Sequence, residues 1–229
     1  MEDDAGRSLD SGLTRAEWLL LLVLAAIQFT HSMDFMVMMP LGPQCREELH
    51  ISPQRFAMVV SSYGFSAAIA GLLAAFFIDR FDRKITLLVL YAGLITGTLL
   101  CAVAPGYWSL MLARTVAGAF GGIGGAFILV IIGDAFPEIR RGRATGVVMT
   151  AFSIASIAGL PAGIMLGNRF GVRTPFGILG LFGLATWVLA FKVLPPMRGH
   201  MGRRRESAAE TWAMLRQPAH LRAYAFMVM

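Results

Sequence analysis

The stretch that decides the fold is WLLLLVLAAIQFTHSMDFMVMMP, from Trp18 to Pro40. It holds 23 mainly apolar residues, and a helix needs about 20 such residues to cross the hydrocarbon core of a bilayer. The preceding segment, Met1 to Glu17, is polar and acidic and lacks the basic start and the small-residue cleavage site of a signal peptide. We therefore expect the stretch to be retained as a membrane-spanning helix.

The same apolar pattern recurs along the whole chain of 229 residues. Residues of the set AVILMFWYC make up 56%, charged residues only 15%, and the mean hydropathy is +0.65, so the chain is more apolar than soluble domains are. We predict an all-α membrane protein of six transmembrane helices with the start of a seventh. The predicted segments are a cytoplasmic tail at 1–17, spans at 18–40, 56–78, 85–104, 107–132, 144–167 and 174–194, a basic cytoplasmic linker at 195–221, and the truncated seventh helix at 222–229.

The positive charges lie mostly between the spans and on one side. With the N-terminus in the cytoplasm, the inner segments hold 15 Lys and Arg residues and the outer loops hold 4, while Arg114 is inside a span. Positively charged loops stay cytoplasmic, so we predict a multi-pass protein of the cell membrane, in bacteria the inner membrane, with the N-terminus inside. This distribution explains the net charge of +6 without nucleic acid as a partner. Cys45 and Cys101 have no metal-ligand spacing, and no metal or cofactor is expected.

Two charged residues lie deep in predicted spans. Asp34 is six residues before Pro40, and Arg114 is seven residues after Tyr107, which places them roughly 9 Å and 10 Å from the outer ends of their spans. Charges at such depth are costly unless they are paired or face a polar cavity. Because the two depths agree, the sequence predicts that Asp34 and Arg114 pair.

A polar stripe extends along the first span from this carboxylate. Gln28, His31 and Asp34 recur every three residues and so share one side of a helix. A carboxylate and an imidazole one turn apart can take up and release protons as hydration and neighbouring charges change. The stripe therefore indicates a proton relay, and the alternative is a buried ion pair that only locks the first and fourth spans together, with His31 as hydrogen-bonded structure.

The fifth span contains small residues at a regular spacing. Gly159, Gly163 and Gly167 are four residues apart, and Pro161 lies between them. Small residues at this spacing let helix backbones approach closely in lipid, and a proline removes one helical donor and bends the helix. We expect these residues to form a packing face with a kink, and a moving hinge is the alternative.

The connection between the second and third spans carries a recognisable motif. The segment AFFIDRFDRKITLL, from Ala75 to Leu88, resembles the major facilitator superfamily signature G-x-L-A-D-R-x-G-R-K-x-x-x-L. Ala75 and Asp82 stand where that signature has glycines. The charged residues that match, called the gate motif below, are Asp79, Arg80, Arg83 and Lys84.

Two further segments agree with the same family. LARTVAGAFGG, which contains Arg114, is similar to its fourth-helix arginine motif. AGLPAGIMLGNRFGVRTPF, which contains Pro161, is similar to the fifth-helix antiporter motif of the drug:proton antiporter group in its arabinose-efflux form. Leu160 takes the place of the usual glycine before the proline, and Val172 that of a common tryptophan. The three segments fall on the expected helices in the expected order.

The resemblance implies a fold and an activity. The six spans would form two inverted three-helix repeats and one half of a twelve-helix transporter that rocks around a central site. The activity would be secondary active transport, with proton-coupled export of a small molecule of the drug or sugar class. The partners would be that substrate, the proton, the lipid bilayer, and either a missing C-terminal half or a second copy of the chain.

The resemblance also implies roles for charged residues. Asp79 and Arg83 would help to latch the cytoplasmic side between the halves, with Arg140 to Arg143 as charge partners. Asp34 and Arg114 would face the central cavity. Sodium remains an alternative to the proton as the coupling ion.

Two other readings compete with an active transporter. The first is a truncated or self-associating half-transporter without transport activity of its own. The second is a membrane-embedded hydrolase with Ser66 as its nucleophile, which would need a base within hydrogen-bond reach. His31 is the histidine at membrane depth, but it lies in the outer half of its span while Ser66 lies nearer the middle of the bilayer. We therefore do not expect an enzyme.

Overall fold

The computed structural model describes residues 13–75 and 78–197, apart from the side chain of Asp79. This part of the chain is helical and contains no strand. Its helices are α1 (Arg15–Val37), α2 (Gly42–Leu49), α3 (Pro53–Ala74), α4 (Arg83–Val103), α5 (Tyr107–Ala135), α6 (Glu138–Ile154), α7 (Leu160–Phe170) and α8 (Arg173–Val193), with a 3-10 turn at Ile78–Arg80 and a π-helical segment at Ala155–Gly159. The predicted tail up to residue 12, the linker beyond residue 197 and the seventh helix lie outside the described residues.

Six helices in the described residues are long and apolar enough to cross a membrane. They are α1, α3, α4, α5, the continuous segment Glu138–Phe170 and α8, so the prediction of an all-α protein with six such helices is confirmed. The fifth span begins at Glu138, the first residue of α6, which is six residues before its predicted start at residue 144. Pro137 at the N-cap has no backbone N–H, so a helix that starts directly after it leaves no donor of the proline unpaired.

Local sequence explains where several helices begin. Thr14 and Glu17 form a capping box at the start of α1, each side chain accepting a hydrogen bond from the other residue's backbone N–H. Ser52 caps α3 just before Pro53, and the Asp82 carboxylate caps α4. These polar caps satisfy donors at the helix ends and so fix the register of each span.

The helix contacts follow a symmetric pattern. The main neighbours are α3 with α5, α4 with α5, α4 with α8, α1 with α6 and α1 with α8. If spans one, two and three are exchanged with spans four, five and six, the same set of neighbouring pairs results. Because equivalent helices are three positions apart in the order of the spans, each runs opposite to its counterpart, which is the arrangement of two inverted three-helix repeats.

The spans differ in how much of their surface the bundle covers. α1 and α4 are the most buried, whereas α3 and the fifth span are the least buried. The second and fifth spans are equivalent helices of the two repeats, so the two least buried spans are related by the same symmetry. Buried polar side chains are found mainly on α1, α4 and α5, where the candidate site lies, and α8 adds Thr186.

Candidate functional site

The Asp34 carboxylate lies at the centre of a cluster that joins three spans. Arg114 Nη1 on α5 is 2.9 Å from Asp34 Oδ2 and also donates to the Asp34 backbone carbonyl at 3.2 Å. Thr98 Oγ1 on α4 donates to Asp34 Oδ1 at 2.7 Å. The carboxylate therefore accepts one charged and one neutral hydrogen bond, and the two depths estimated from sequence do correspond to a contact.

This ion pair is almost completely removed from solvent. The Asp34 side chain is 0% exposed and that of Arg114 is 2% exposed. The guanidinium also lies over the ring of Tyr63 on α3, with 4.4 Å between its carbon and the ring centroid. A charge buried this deeply is stable only with a counter-charge and hydrogen bonds, and a cation over an aromatic face gains further attraction. Four spans thus contribute to one charged centre.

The rest of the polar stripe is not hydrogen-bonded to this centre. Gln28 Nε2 donates to Ser32 Oγ on its own helix at 3.3 Å. The His31 ring lies against α5, where a Cβ on Gly125 would stand 2.9 Å from Nε2. Within the described residues no direct hydrogen bond joins Gln28 or His31 to Asp34, so the stripe is a shared face and the proton relay stays a prediction.

The gate motif is held partly inside the bundle. Arg83 Nε is 2.9 Å from Asp134 Oδ2, and its guanidinium lies 5.5 Å from the Phe127 ring centroid. Lys84 Nζ lies 5.4 Å from the ring centroid of Phe191 on α8. Arg80 is exposed, and the side chain of Asp79 lies outside the described part of the structure.

The basic residues expected to face the gate motif have other partners. Arg140 Nη1 is 3.2 Å from Glu17 Oε1, and Arg141 Nη1 is 3.7 Å from Glu138 Oε1. Arg141 also donates to a backbone carbonyl of its own segment. α6 begins beside α1, because the fifth span packs on the first, and nearby carboxylates reach these two arginines. Their expected role as charge partners of the gate motif between two halves stays a prediction.

Asp82, which replaces a signature glycine, ties the chain after α8 to this loop. Its Oδ1 accepts from the Lys84 backbone N–H at 2.9 Å and from that of Met197 at 3.1 Å. The Arg83 backbone N–H donates to the Met197 carbonyl at 3.3 Å. Glycine could cap neither donor, so this departure from the family signature adds a contact.

The glycines of the fifth span pack in register against α1 and the turn that follows it. A Cβ on Gly159 would meet Met33 Sδ at 2.5 Å, and one on Gly163 would meet Val37 at 2.9 Å. Gly167 lies in the same way against Leu41. Three side chains four residues apart thus fit three glycines four residues apart.

Pro161 lies just after a widened turn of this span. The Leu160 backbone N–H bonds to the Ala155 carbonyl, five residues earlier, at the end of the π-helical segment. A proline cannot donate to the preceding turn, and an inserted residue is a common way to accommodate this. The predicted irregularity at Pro161 is therefore a π-helical turn.

The glycines of α5 form two faces with different neighbours. Gly118 and Gly122 lie against α3, where a Cβ would meet the backbone of Tyr63 or of Ala67. Gly121 and Gly125 instead lie against polar side chains, including His31. Close helix packing accounts for the first face only.

One member of the charged cluster was missed in the sequence. Thr98 lies six residues before Ala104, so the depth estimate that linked Asp34 with Arg114 would also have selected it. Tyr63 was not singled out in the sequence. No spacing rule shows that its ring covers Arg114.

The described residues also bear on the hydrolase reading. Ser66 Oγ donates to the Tyr63 carbonyl at 3.0 Å, a bond within its own helix. Among the described residues no group of three or more His, Cys, Asp or Glu side chains could hold a metal ion. The buried charged groups of the candidate site are those of an ion pair between membrane-spanning helices.

Related bacterial proteins share this sequence. The chain is 28% identical over 177 residues to the uncharacterized MFS-type transporter YceJ of Bacillus subtilis, covering 76% of this chain and 44% of that protein. It is 29% identical over 183 residues to the inner membrane transport protein YdhP of Escherichia coli, covering 77% and 46%. It is 25% identical over 174 residues to a Helicobacter pylori protein named probable sugar efflux transporter, covering 75% and 43%. The chain thus spans about half the length of these relatives.

A solved structure shares the fold. The inward-facing, unoccupied form of a bacterial homolog of the human lysosomal transporter Spinster superposes with a TM-score of 0.69 at 19% identity, covering 90% of this chain and 49% of that one. The family model of the Major Facilitator Superfamily matches residues 24–229. This chain therefore belongs to the Major Facilitator Superfamily, and it is a transporter-family membrane protein rather than an enzyme.

Proposed function

We propose that the chain is the N-terminal half of a proton-coupled exporter in which Asp34 carries the proton. The observation that carries this proposal is the Asp34–Arg114 pair, with exposures of 0% and 2%, inside two apolar spans. Ionisable residues at such depth are expensive and are usually tied to a transport pathway. Locking two helices together could be achieved at lower cost by apolar side chains.

The geometry supports a switch at the carboxylate. A proton added to Asp34 Oδ2 would neutralise the partner of Arg114 Nη1, which stands 2.9 Å away. Arg114 would keep its bond to the Asp34 backbone carbonyl at 3.2 Å, so it would be retained beside the site with its charge less compensated. A proton can drive the outward and inward states only if its affinity differs between them, and exposure of this pair to opposite sides would supply that difference.

The direction and the substrate class are inferred from likeness. The fifth span resembles an antiporter motif, and relatives from Helicobacter pylori and Mannheimia succiniciproducens bear the name probable sugar efflux transporter. We therefore propose export of a small molecule of the sugar or drug class across a bacterial cell membrane, with the N-terminus in the cytoplasm. Gln28 and His31 would contribute to the polar surroundings of the coupling site, and the gate motif to closure on the cytoplasmic side.

The proposed cycle requires a second six-helix body. α3 and the fifth span present the least covered surfaces of the bundle and are counterparts in the repeat. A C-terminal half or a second copy of this chain would pack on these two spans. The competing possibility is a half-transporter that self-associates or stands alone and moves no substrate.

The first experiment is to determine the intact mass of the protein as its host produces it, and then to measure transport with that protein in liposomes. An imposed pH gradient should drive substrate flux in the wild type. Asp34→Asn should abolish this pH-driven flux, because the amide keeps the shape but takes up no proton, while binding of substrate persists. Glu138→Gln is the matched control, since its carboxylate is 90% exposed.

Either of two results would contradict the proposal. Undiminished proton-driven flux in Asp34→Asn would remove Asp34 from coupling. A protein of 24.8 kDa without flux for any sugar or drug tested, in a preparation that retains its fold, would favour the inactive half-transporter.

A further inference from the structure

Two polar atoms converge on the surface of Gly121, beside the ion pair. From the position that a Gly121 Cβ would occupy, the Tyr63 hydroxyl oxygen is 2.7 Å away and His31 Nδ1 is 3.5 Å away. Tyr63 belongs to α3, His31 to α1 and Gly121 to α5, so three spans meet here. The absence of a side chain at Gly121 is what leaves room for both groups.

Neither atom has a hydrogen-bond partner within the described residues. Both the Tyr63 hydroxyl and His31 Nδ1 are buried, and the Tyr63 side chain as a whole is only 4% exposed. A buried polar atom left without a partner costs about 1–3 kcal/mol. Buried polar atoms in native structures are nearly always paired, with protein or with ordered water.

The space beside these atoms matches one small ligand. A cavity of about 10 Å³ is lined by His31, Gly121 and Tyr91 together with apolar side chains of α1, α4 and α5. One water molecule requires roughly 10–15 Å³ and two to four polar partners. The volume is therefore that of one water molecule, and His31 is the unpartnered group that lines this cavity, while the Tyr63 hydroxyl reaches the site at Gly121.

We propose that one water molecule binds between Tyr63 and His31 at Gly121. The water donates to His31 Nδ1 and accepts from the Tyr63 hydroxyl, so His31 is a neutral imidazole protonated on Nε2. Gly125 serves the same site, because a Cβ there would stand 2.9 Å from His31 Nε2 and displace the ring.

This site makes Tyr63 a positioning residue for the charged centre. The Tyr63 hydroxyl is fixed by the water while its ring lies 4.4 Å beneath the Arg114 guanidinium. The water would thus hold the ring in place and, through it, the arginine that pairs with Asp34. This effect on transport rests on the proposed proton coupling, whereas the water site itself does not.

Solid-state NMR of the full chain in lipid bilayers tests the water site directly. The protein is labelled with ¹⁵N-histidine, and the His31 signals are identified by their loss in His31→Asn. Magnetisation transferred from water should reach the His31 nitrogens, and the Nδ1 shift should be that of a hydrogen-bonded acceptor. Gly121→Ala should remove the water-transferred signal because its Cβ occupies the site. Gly133→Ala, on the same helix with nothing within 4 Å of its Cβ, should leave the signal unchanged.

A second variant separates the water from the aromatic ring. Tyr63→Phe keeps the ring under Arg114 and removes only the hydroxyl, so the His31 Nδ1 shift should move while the protein remains folded. A dry His31 in the wild type, or a water-transferred signal that survives in both Gly121→Ala and Tyr63→Phe, would overturn the proposal. Loss of proton-driven flux in Asp34→Asn concerns only the proposed function, so the two can fail independently.

Discussion

Two ion pairs in this bundle have the same nitrogen–oxygen distance but differ in their exposure to solvent. Arg114 with Asp34 and Arg83 with Asp134 both show a nitrogen–oxygen distance of 2.9 Å. The first pair has side-chain exposures of 2% and 0%, whereas the second has 7% and 28%. Water screens the second pair and can replace either partner, but it cannot do so for the first. Distance alone therefore says little about what an ion pair contributes.

The largest effect should follow from removing one partner of the buried pair. Asp34→Leu leaves the Arg114 charge buried without a counter-charge, and the expected loss is about 3–5 kcal/mol in the free energy of unfolding. The double variant with Arg114→Leu should recover much of this loss because no buried charge remains. Unfolding in lipid or detergent micelles measures both. Equal stability of the single and double variants would show that Arg114 finds another partner.

A smaller effect should distinguish a hydrogen bond to a charge from one between neutral groups. Thr98→Val removes the donor to Asp34 Oδ1, and the expected loss is about 1.5–3 kcal/mol because the acceptor is a carboxylate. Thr30→Val is the matched control: Thr30 is also fully buried, but it bonds the neutral Tyr91 hydroxyl at 2.9 Å, so about 0.5–1.5 kcal/mol should be lost. A Thr98 variant no less stable than the Thr30 variant would contradict the charge assigned to Asp34.

The smallest effect should come from the second ion pair. Asp134→Asn should cost about 1 kcal/mol or less, because Asp134 is partly exposed and Arg83 keeps its place over the Phe127 ring. The difference between wild type and variant should shrink as salt is added, since ions screen accessible charges over about 8–10 Å. Unfolding at low and high salt gives this difference. A salt-independent loss as large as that of Asp34→Leu would mean that the two pairs are equivalent.

Sequence predicted the parts of this fold that depend on one helix at a time. Apolar length located the six spans, and counting residues from their ends put Asp34 and Arg114 at one depth. What it could not give was rotation about the helix axis, which depends on neighbouring helices. For this reason the sequence did not place the Tyr63 ring under Arg114 or the Arg140 side chain beside Glu17.

The roles of the glycines show the same division. The spacing of Gly159, Gly163 and Gly167 predicted a close-packed face, which the contacts with α1 display. On α5 the same small-residue pattern covers two functions, because Gly118 packs on a backbone while Gly121 lies against polar groups. The spacing of glycines shows where a helix face lacks side chains. Only the neighbouring residues in the structure show what packs against that face.

The fit of α1 into the fifth span has a mechanical consequence. Met33, Val37 and Leu41 lie against Gly159, Gly163 and Gly167, each set advancing by four residues. Sliding α1 along the fifth span by less than a turn would bring these side chains against the larger residues between the glycines, so we expect small axial displacements to be opposed. We therefore expect the first and fifth spans to move together in the proposed transport cycle.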